Sequence, residues 1–216
     1  MAGFGCGEEV DSDPNMVLEQ ELVCDLAVSE LPYASEVVSF EAGVNAGYGQ
    51  SDFPNVVLGA PAAGPKEGGS LEVLSLGIGG GIVLGFGSRK VVDKEGPDFV
   101  IFENPFAIGG DPTNPFAELA RVSVSQDGEN WTSFECKSEE SYPWYGCAGW
   151  QIVGSFDPCV RHLVSEETGA DLFDLADLGI EEIRFIRISD LAQSGSPPSA
   201  GFDLDAVGAF HLADDF

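Results

Sequence analysis

VSVSQDGENWTSF, residues 122–134, reads as two short strands joined by a tight turn. Val122 and Val124 alternate with Ser123 and Ser125, the two-residue period of a strand with one buried face. Asp127-Gly128 supplies the positive-φ turn of a hairpin, and Trp131 covers the core edge as the chain returns. Around this hairpin, short apolar runs recur between Gly, Pro, Asn and Asp: EVVSFEAG, NVVLGAP, LEVLSLG, GIVLGFG, DFVIFENPF, ARVSVSQDG, NWTSFEC, EIRFIRISD and DLDAVGAFH. Their length and their Val, Ile and Phe content predict an all-β sandwich or barrel. The one helical piece predicted is TGADLFDLADLG, where Leu172, Leu175 and Leu178 recur at threes and Gly179 ends the turn. Gly79, Gly80 and Gly81 are predicted to reverse the chain in a hairpin between LEVLSL and IVLGF. No lysine follows in the place a phosphate loop requires.

The chain has 216 residues, 44% of them hydrophobic, enough for one domain with a real core. Nine Lys and Arg stand against 37 Asp and Glu, a formal charge of −28. Broad contact with nucleic acid or anionic lipid needs cations this chain scarcely has. The acid excess is carried by hydration and counterions, answers a saline habitat, or is neutralised locally by bound calcium. No apolar run is long enough to make a membrane-spanning helix.

Residues 1–21 read as a signal remnant and acidic tether, and residues 22–216 as the sandwich domain. Small residues lead into Cys6, as at the end of a lipoprotein signal, so Cys6 is either a lipid anchor or an ordinary thiol. Without it, Cys24, Cys136, Cys147 and Cys159 form an even set with three possible pairings. The short separation of Cys136 and Cys147 favours a local bridge, leaving Cys24 for Cys159. No closely spaced CxxC pair supports zinc. Disulfides imply an oxidising compartment, and with the anchor they place the domain outside a bacterial cell, as an outer-membrane lipoprotein or a secreted protein.

Several residue groups are candidates for chemistry. PDFVIFENPFAIGGDPTNP carries Asp98, Glu103, Asn104 and Asp111 among prolines and glycines, a second calcium candidate whose alternative is turn capping. Asp171 and Asp174 read first as helix-start residues. SYPWYGCAGW places Tyr142, Trp144, Tyr145 and Trp150 around the local bridge. Loop aromatics of that kind make a platform for sugar rings, or else a small satellite core. Tyr33 and Tyr48 are weaker candidates. The two histidines, His162 and His211, have no G-x-S-x-G elbow to serve, and both read as structural or surface residues.

Three stretches together resemble the galactose-binding-like jelly-roll superfamily of discoidin domains and carbohydrate-binding modules: VSVSQDGENWTSF; EIRFIRISD, similar to their penultimate strand, with Ile183 and Phe185 alternating with a polar Arg face; and GFDLDAVGAFH. The order of segments over residues 32–212 also looks like a group of bacterial cell surface proteins. The resemblance implies an all-β jelly-roll sandwich with at most one or two short helices. It also implies a structural calcium held by Glu41 near the first strand and Asp205 in the last, with Asp203 as a further ligand on the face of Asp205. The function expected is a monomeric, non-catalytic, calcium-binding surface module for carbohydrate or another cell-envelope component. The alternatives are an adhesive domain recognising protein and a hydrolase using acidic residues.

Overall fold

The computed structural model describes residues 27–62, 70–153 and 169–214. Cys6, Cys24, Cys159 and His162 lie outside them. Sixteen strands occur among the described residues, all paired antiparallel. In chain order they begin β1 (Glu36–Glu41), β2 (Leu74–Ser75), β3 (Gly81–Gly85), β4 (Arg89–Val92), β5 (Phe99–Phe102), β6 (Phe106–Ala107), β7 (Pro115–Phe116) and β8 (Ala120–Ser125). They continue with β9 (Thr132–Ser133), β10 (Cys147–Ala148), β11 (Asp171–Phe173), β12 (Glu182–Ile183), β13 (Phe185–Asp190), β14 (Asp203–Leu204), β15 (Ala206–Ala209) and β16 (Leu212–Asp214). Helical structure among the described residues is confined to four 3-10 turns, at Val28–Glu30, Asn55–Val57, Ile108–Gly110 and Leu175–Leu178. No described helix is long and apolar enough to cross a membrane.

A six-stranded sheet runs β1-β3-β13-β8-β10, with β9 also on β8. Its inward residues form cross-strand ladders: Ile186 lies opposite both Leu84 and Val124, and Ile188 opposite both Ile82 and Val122. All six are buried in the main core. A three-stranded sheet, β11-β5-β15, sends Phe99, Ile101, Phe173 and Val207 into the same core. Phe99 and Phe173 stack with centroids 5.0 Å apart, and Phe134 meets Phe173 edge-on at 4.9 Å. Strand β5 is buried on both faces because its alternate residues, Val100 and Phe102, enter a second small core with Tyr33, Ala170 and Ala206. That is why its sequence is a continuous apolar run instead of an alternating one.

The predicted hairpin at 122–134 is present as β8 and β9, with Gly128 at φ 77°. Asp127 Oδ1 accepts from the amides of Glu129 and Asn130, both at 2.8 Å. The Asn130 bonds hold the Asp127 carboxyl well below the usual carboxylate range. Trp131 carries the Arg187 guanidinium 3.7 Å from its ring centroid, on the outer side of the six-stranded sheet.

Four local expectations are corrected. LEVLSL and IVLGF do not pair with each other: β2 pairs with β14, while β3 pairs with β1 and β13. The glycines instead turn the chain from one sheet to another. At Gly80 a Cβ would stand 2.0 Å from the Leu76 carbonyl oxygen, so the backbones meet there. Residues 171–173 are strand β11, because Asp171 and Phe173 are buried facing inward beside β5, and helical structure begins only after Asp174. EIRFIRISD breaks at Arg184 into β12 on β4 and β13 on β3 and β8, so Ile183 is buried while Phe185 sides with Arg187. GFDLDAVGAF likewise breaks at Asp205, so Asp203 and Asp205 share no strand face and take different partners.

Candidate functional site

The aromatic loop is pinned by a disulfide between Cys136 and Cys147, whose Cα atoms are 4.5 Å apart. The Cys147 amide donates to the Trp144 carbonyl at 3.1 Å, and Trp150 Nε1 donates to the Cys147 carbonyl at 3.1 Å. Trp144 Nε1 donates to the Glu140 carbonyl at 2.7 Å. Trp150 is only 7% exposed and forms the floor. On it sit Tyr142 at 5.5 Å and Tyr145 at 5.8 Å, both edge-on, with Tyr142 also edge-on to Trp144 at 5.8 Å. Tyr142 is 38% exposed and Tyr145 67% exposed. Trp150 is thus buried beneath two tyrosines that pack edge-on against it while their own rings stay exposed.

Beside this loop, Ser138 and Glu139 line a cavity of about 410 Å³ whose other walls include Phe116, Glu118 and Leu191. A cavity of about 740 Å³ lies between Tyr48, Asp52, Asn55, Glu72, Pro198 and Asp205. Tyr48 turns its hydroxyl to the Leu71 carbonyl at 2.9 Å, and Tyr33 is buried in the second core.

Asp205 accepts from the Ala62 amide at 2.9 Å, and burial pushes its carboxyl up to about 7. Glu41 is exposed on β1 and lines a different depression with Ser39, Gly79, Arg187 and Ser189. The structure thus gives Glu41 and Asp205 separate surroundings, since β1 ends in the six-stranded sheet while Asp205 lies between β14 and β15. It does not bring them together on one ion.

The four acids and amides of the FENPF region separate in the same way. Asp111 Oδ1 accepts from the Thr113 amide at 2.9 Å and the Thr113 hydroxyl at 2.8 Å, capping its own turn. Asp98 is fully buried and accepts from the amides of Lys94 at 2.9 Å and Leu175 at 2.8 Å. Desolvation raises its pKa, and the charges of Asp174 and Asp93 add to the effect. Asp174 does start a helical turn, accepting from the Ala176 amide at 2.8 Å. Asp93, Asp98 and Asp174 offer ligand oxygens within 4.8 Å of one another, a cluster able to chelate a metal ion. Asp93 carried no signal in the sequence beyond its charge.

Glu103 and Asn104 follow β5 directly and lie elsewhere. Glu103 is 4% exposed, and its Oε1 accepts from the Asp203 amide at 3.4 Å. Burial raises its pKa well above normal, helped by the charges of Asp203, Glu118 and Asp171. Asp203 bonds to the Ser75 hydroxyl, and burial pushes its carboxyl up to about 6. Asp171 is 2% exposed and accepts from the Gly149 amide at 2.6 Å and the Trp150 amide at 3.3 Å; burial pushes it up to about 7. Glu118, half-buried, is pushed up to about 7 by burial and by Asp203 and Asp190. Nothing in the sequence singles out Glu118, which is placed by the pairing of β8, just after it, with both β10 and β13. Asp190 was also missed: it accepts from Gly79 at 2.9 Å, Ala192 at 3.0 Å and Phe202 at 2.8 Å, tying three segments together.

His211 is half-buried after β15, and its carbonyl accepts from the Val92 amide at 3.0 Å.

No family model matches the chain, and no curated protein matches it. Solved structures similar to it include the following two. One is a glycoside hydrolase, at 15% identity and a TM-score of 0.30, with 64% of this chain covering 22% of that one. The other is the C-terminal domain of a chitobiase from Bacteroides fragilis, at 13% identity and a TM-score of 0.38, with 83% of this chain covering 95% of that one. At these scores neither carries weight for function.

Proposed function

We propose that the chain is a non-catalytic, surface-exposed binding module that takes carbohydrate on Tyr142, Trp144 and Tyr145. The observation that supports this is the pair of tyrosines held out of the domain on a buried tryptophan by a disulfide-pinned loop. Sugar rings stack their weakly polar faces on such side chains, and a polar rim orients the hydroxyls. Glu118, Ser138 and Glu139 in the adjoining cavity supply such a rim. The rings are positioned before the ligand arrives, so little side-chain entropy is lost on binding. A structural calcium ion and a lipid tether through Cys6 belong to the same proposal.

The test is a glycan array followed by calorimetry on the strongest hit. Tyr145→Ala and Trp144→Ala are each expected to weaken binding at least tenfold while the melting temperature stays within a few degrees. Undiminished binding in both variants removes the site.

A second reading, recognition of a protein surface, is favoured by one feature. On the β6–β7 hairpin, Phe106 and Phe116 stack at 5.1 Å with both rings exposed, and Ile108 beside them is exposed as well. Loss of partner capture in Phe116→Ser, with glycan binding intact, would assign that role to the hairpin.

A further inference from the structure

Phe116 of the β6–β7 hairpin shares one cavity with the disulfide loop. Its ring, 47% exposed and stacked on Phe106 at 5.1 Å, lines the space of about 410 Å³ together with Glu118, Ser138, Glu139 and Gln193. That volume is in the range of small-molecule sites. Ser138 and Glu139 lie on the loop between Cys136 and the aromatic residues, and the Trp144 indole donates to the carbonyl of Glu140, next to that wall. The cavity therefore joins two sets of aromatic rings: Phe106 and Phe116 on one side, and Tyr142, Trp144 and Tyr145 beyond Glu139.

The two sets are fixed relative to each other. Strand β10 pairs with β8 through Cys147–Arg121 and Ala148–Ala120. Gly149 then meets the Glu118 carbonyl so closely that no Cβ fits between them, and Trp150, which carries the tyrosines, comes next in the chain. On another wall the Leu191 amide donates to the Leu119 carbonyl at 3.0 Å. Gln193 Nε2 donates to the Leu191 carbonyl at 3.1 Å, which holds its carboxamide at the rim. Among the described residues the polar lining consists of carboxylates, hydroxyls and this carboxamide, with no lysine or arginine. Such a lining accepts hydrogen bonds from hydroxyl groups and repels carboxylate or sulfate.

We propose that the two sets of rings and the cavity joining them form one extended site for a neutral oligosaccharide several units long. Tyr142, Trp144 and Tyr145 stack on one end of the sugar chain, Phe116 stacks on the other, and Glu118, Ser138, Glu139 and Gln193 bond the hydroxyls between. The inference rests on the carbohydrate reading of the disulfide loop and adds to it the length and the charge class of the ligand. Uronate-containing or sulfated glycans are rejected by Glu118 and Glu139. A protein partner suits the hairpin less well, because its exposed apolar area is a few side chains beside two carboxylates, and acidic residues are depleted where protein interfaces are buried.

The experiment titrates the full chain by calorimetry with size ladders, monomer to hexamer, of linear glucose, mannose and N-acetylglucosamine oligomers, and with oligogalacturonate as the acidic control. In the unaltered protein, affinity should rise about tenfold or more from dimer to hexamer within one neutral ladder, and oligogalacturonate of equal length should bind about tenfold more weakly or worse. Phe116→Ala should remove the gain with length, weakening the hexamer about tenfold more than the dimer, whereas Tyr145→Ala should weaken both alike. Glu139→Lys should strengthen oligogalacturonate binding. Phe116, Glu139 and Tyr145 are all exposed, and an unchanged melting temperature verifies that each variant is folded. Affinity that does not depend on length, yet is lost in Tyr145→Ala, overturns the extended site and leaves the carbohydrate site standing; no binding by any ladder removes both. Phe116→Ala titrating like the unaltered protein at every length also overturns the inference and returns the hairpin to protein recognition. Tighter binding of oligogalacturonate than of every neutral ladder overturns the assigned charge class.

Discussion

Opening the Cys136–Cys147 bridge is the perturbation whose size follows most directly from the structure. The two cysteines are 11 positions apart, so the bridge closes a short loop. Chain-entropy reasoning for a loop of that length gives about 3 kcal/mol of stabilisation, through restriction of the unfolded chain. For a domain of this size, that lowers the melting temperature by about 6–12 °C. The loss has a second component in the native state. Cys147 anchors Trp144 and Trp150 through its own backbone, and Trp150 carries Tyr142 and Tyr145. A Cys136→Ser/Cys147→Ser double variant should therefore lose glycan affinity by more than its stability deficit explains, because the shelf is no longer fixed before binding. The assay is thermal unfolding at constant calcium, with and without reductant, on both proteins, read by tryptophan fluorescence and followed by calorimetry with the best glycan. Reductant should shift the unaltered protein and leave the double variant where it is. A shift under about 2 °C on complete reduction, with peptide mapping confirming free thiols, would refute the reasoning.

Asp205 makes stability depend on pH. Its carboxyl rises from 3.8 to about 7 on folding, so the folded state holds the proton more tightly than the unfolded chain does. The contribution is complete below pH 4 and disappears as pH climbs through 7; its upper limit is about 4 kcal/mol. In EDTA the protein should unfold at lower urea at pH 8 than at pH 5, and Asp205→Asn should make that slope shallower, leaving the share carried by Glu118, Asp171 and Asp203; a rising profile, or an unchanged slope in the variant, would contradict this. Asp190→Ala strips acceptors from three amides and should cost about 3 kcal/mol or more, measured by urea unfolding, with a loss under 1 kcal/mol counting against it. Gly149→Ala and Gly79→Ala make a matched pair. Both residues have positive φ, but a Cβ at Gly149 would stand 2.1 Å from the Glu118 carbonyl oxygen, while Gly79 has nothing within 4 Å. The first should lose far more than the ~1 kcal/mol expected of the second, and equal melting temperatures would refute the contact.

Local chemistry in the sequence was legible wherever a feature is decided by neighbours along the chain. The 122–134 hairpin follows from Asp127-Gly128, the short bridge from the spacing of Cys136 and Cys147, and the turn after Asp174 from its capping carboxylate. Errors arose where a distant partner decides. The leucine spacing in DLFDLADL suggested a helix, but pairing with β5 outweighs it up to Phe173. Asp203 and Asp205 looked like one face of one strand, a rule that holds only if the strand does not change sheets between them. Glu103 and Asn104 stand out in the sequence for their oxygen-bearing side chains and loop setting, while Glu118 and Asp190 become visible only through the long-range register of β8 and β13.

Repeatedly the polypeptide leaves one sheet and enters another within a few residues, as from β2 to β3 across residues 76–80, from β12 to β13 at Arg184, from β14 to β15 at Asp205 and from β15 to β16 across residues 210–211. These crossings act like stitches through a folded cloth. Neither layer can peel away without dragging the other, so amide exchange from β3, β13 and β15 should proceed at a shared rate set by whole-domain opening.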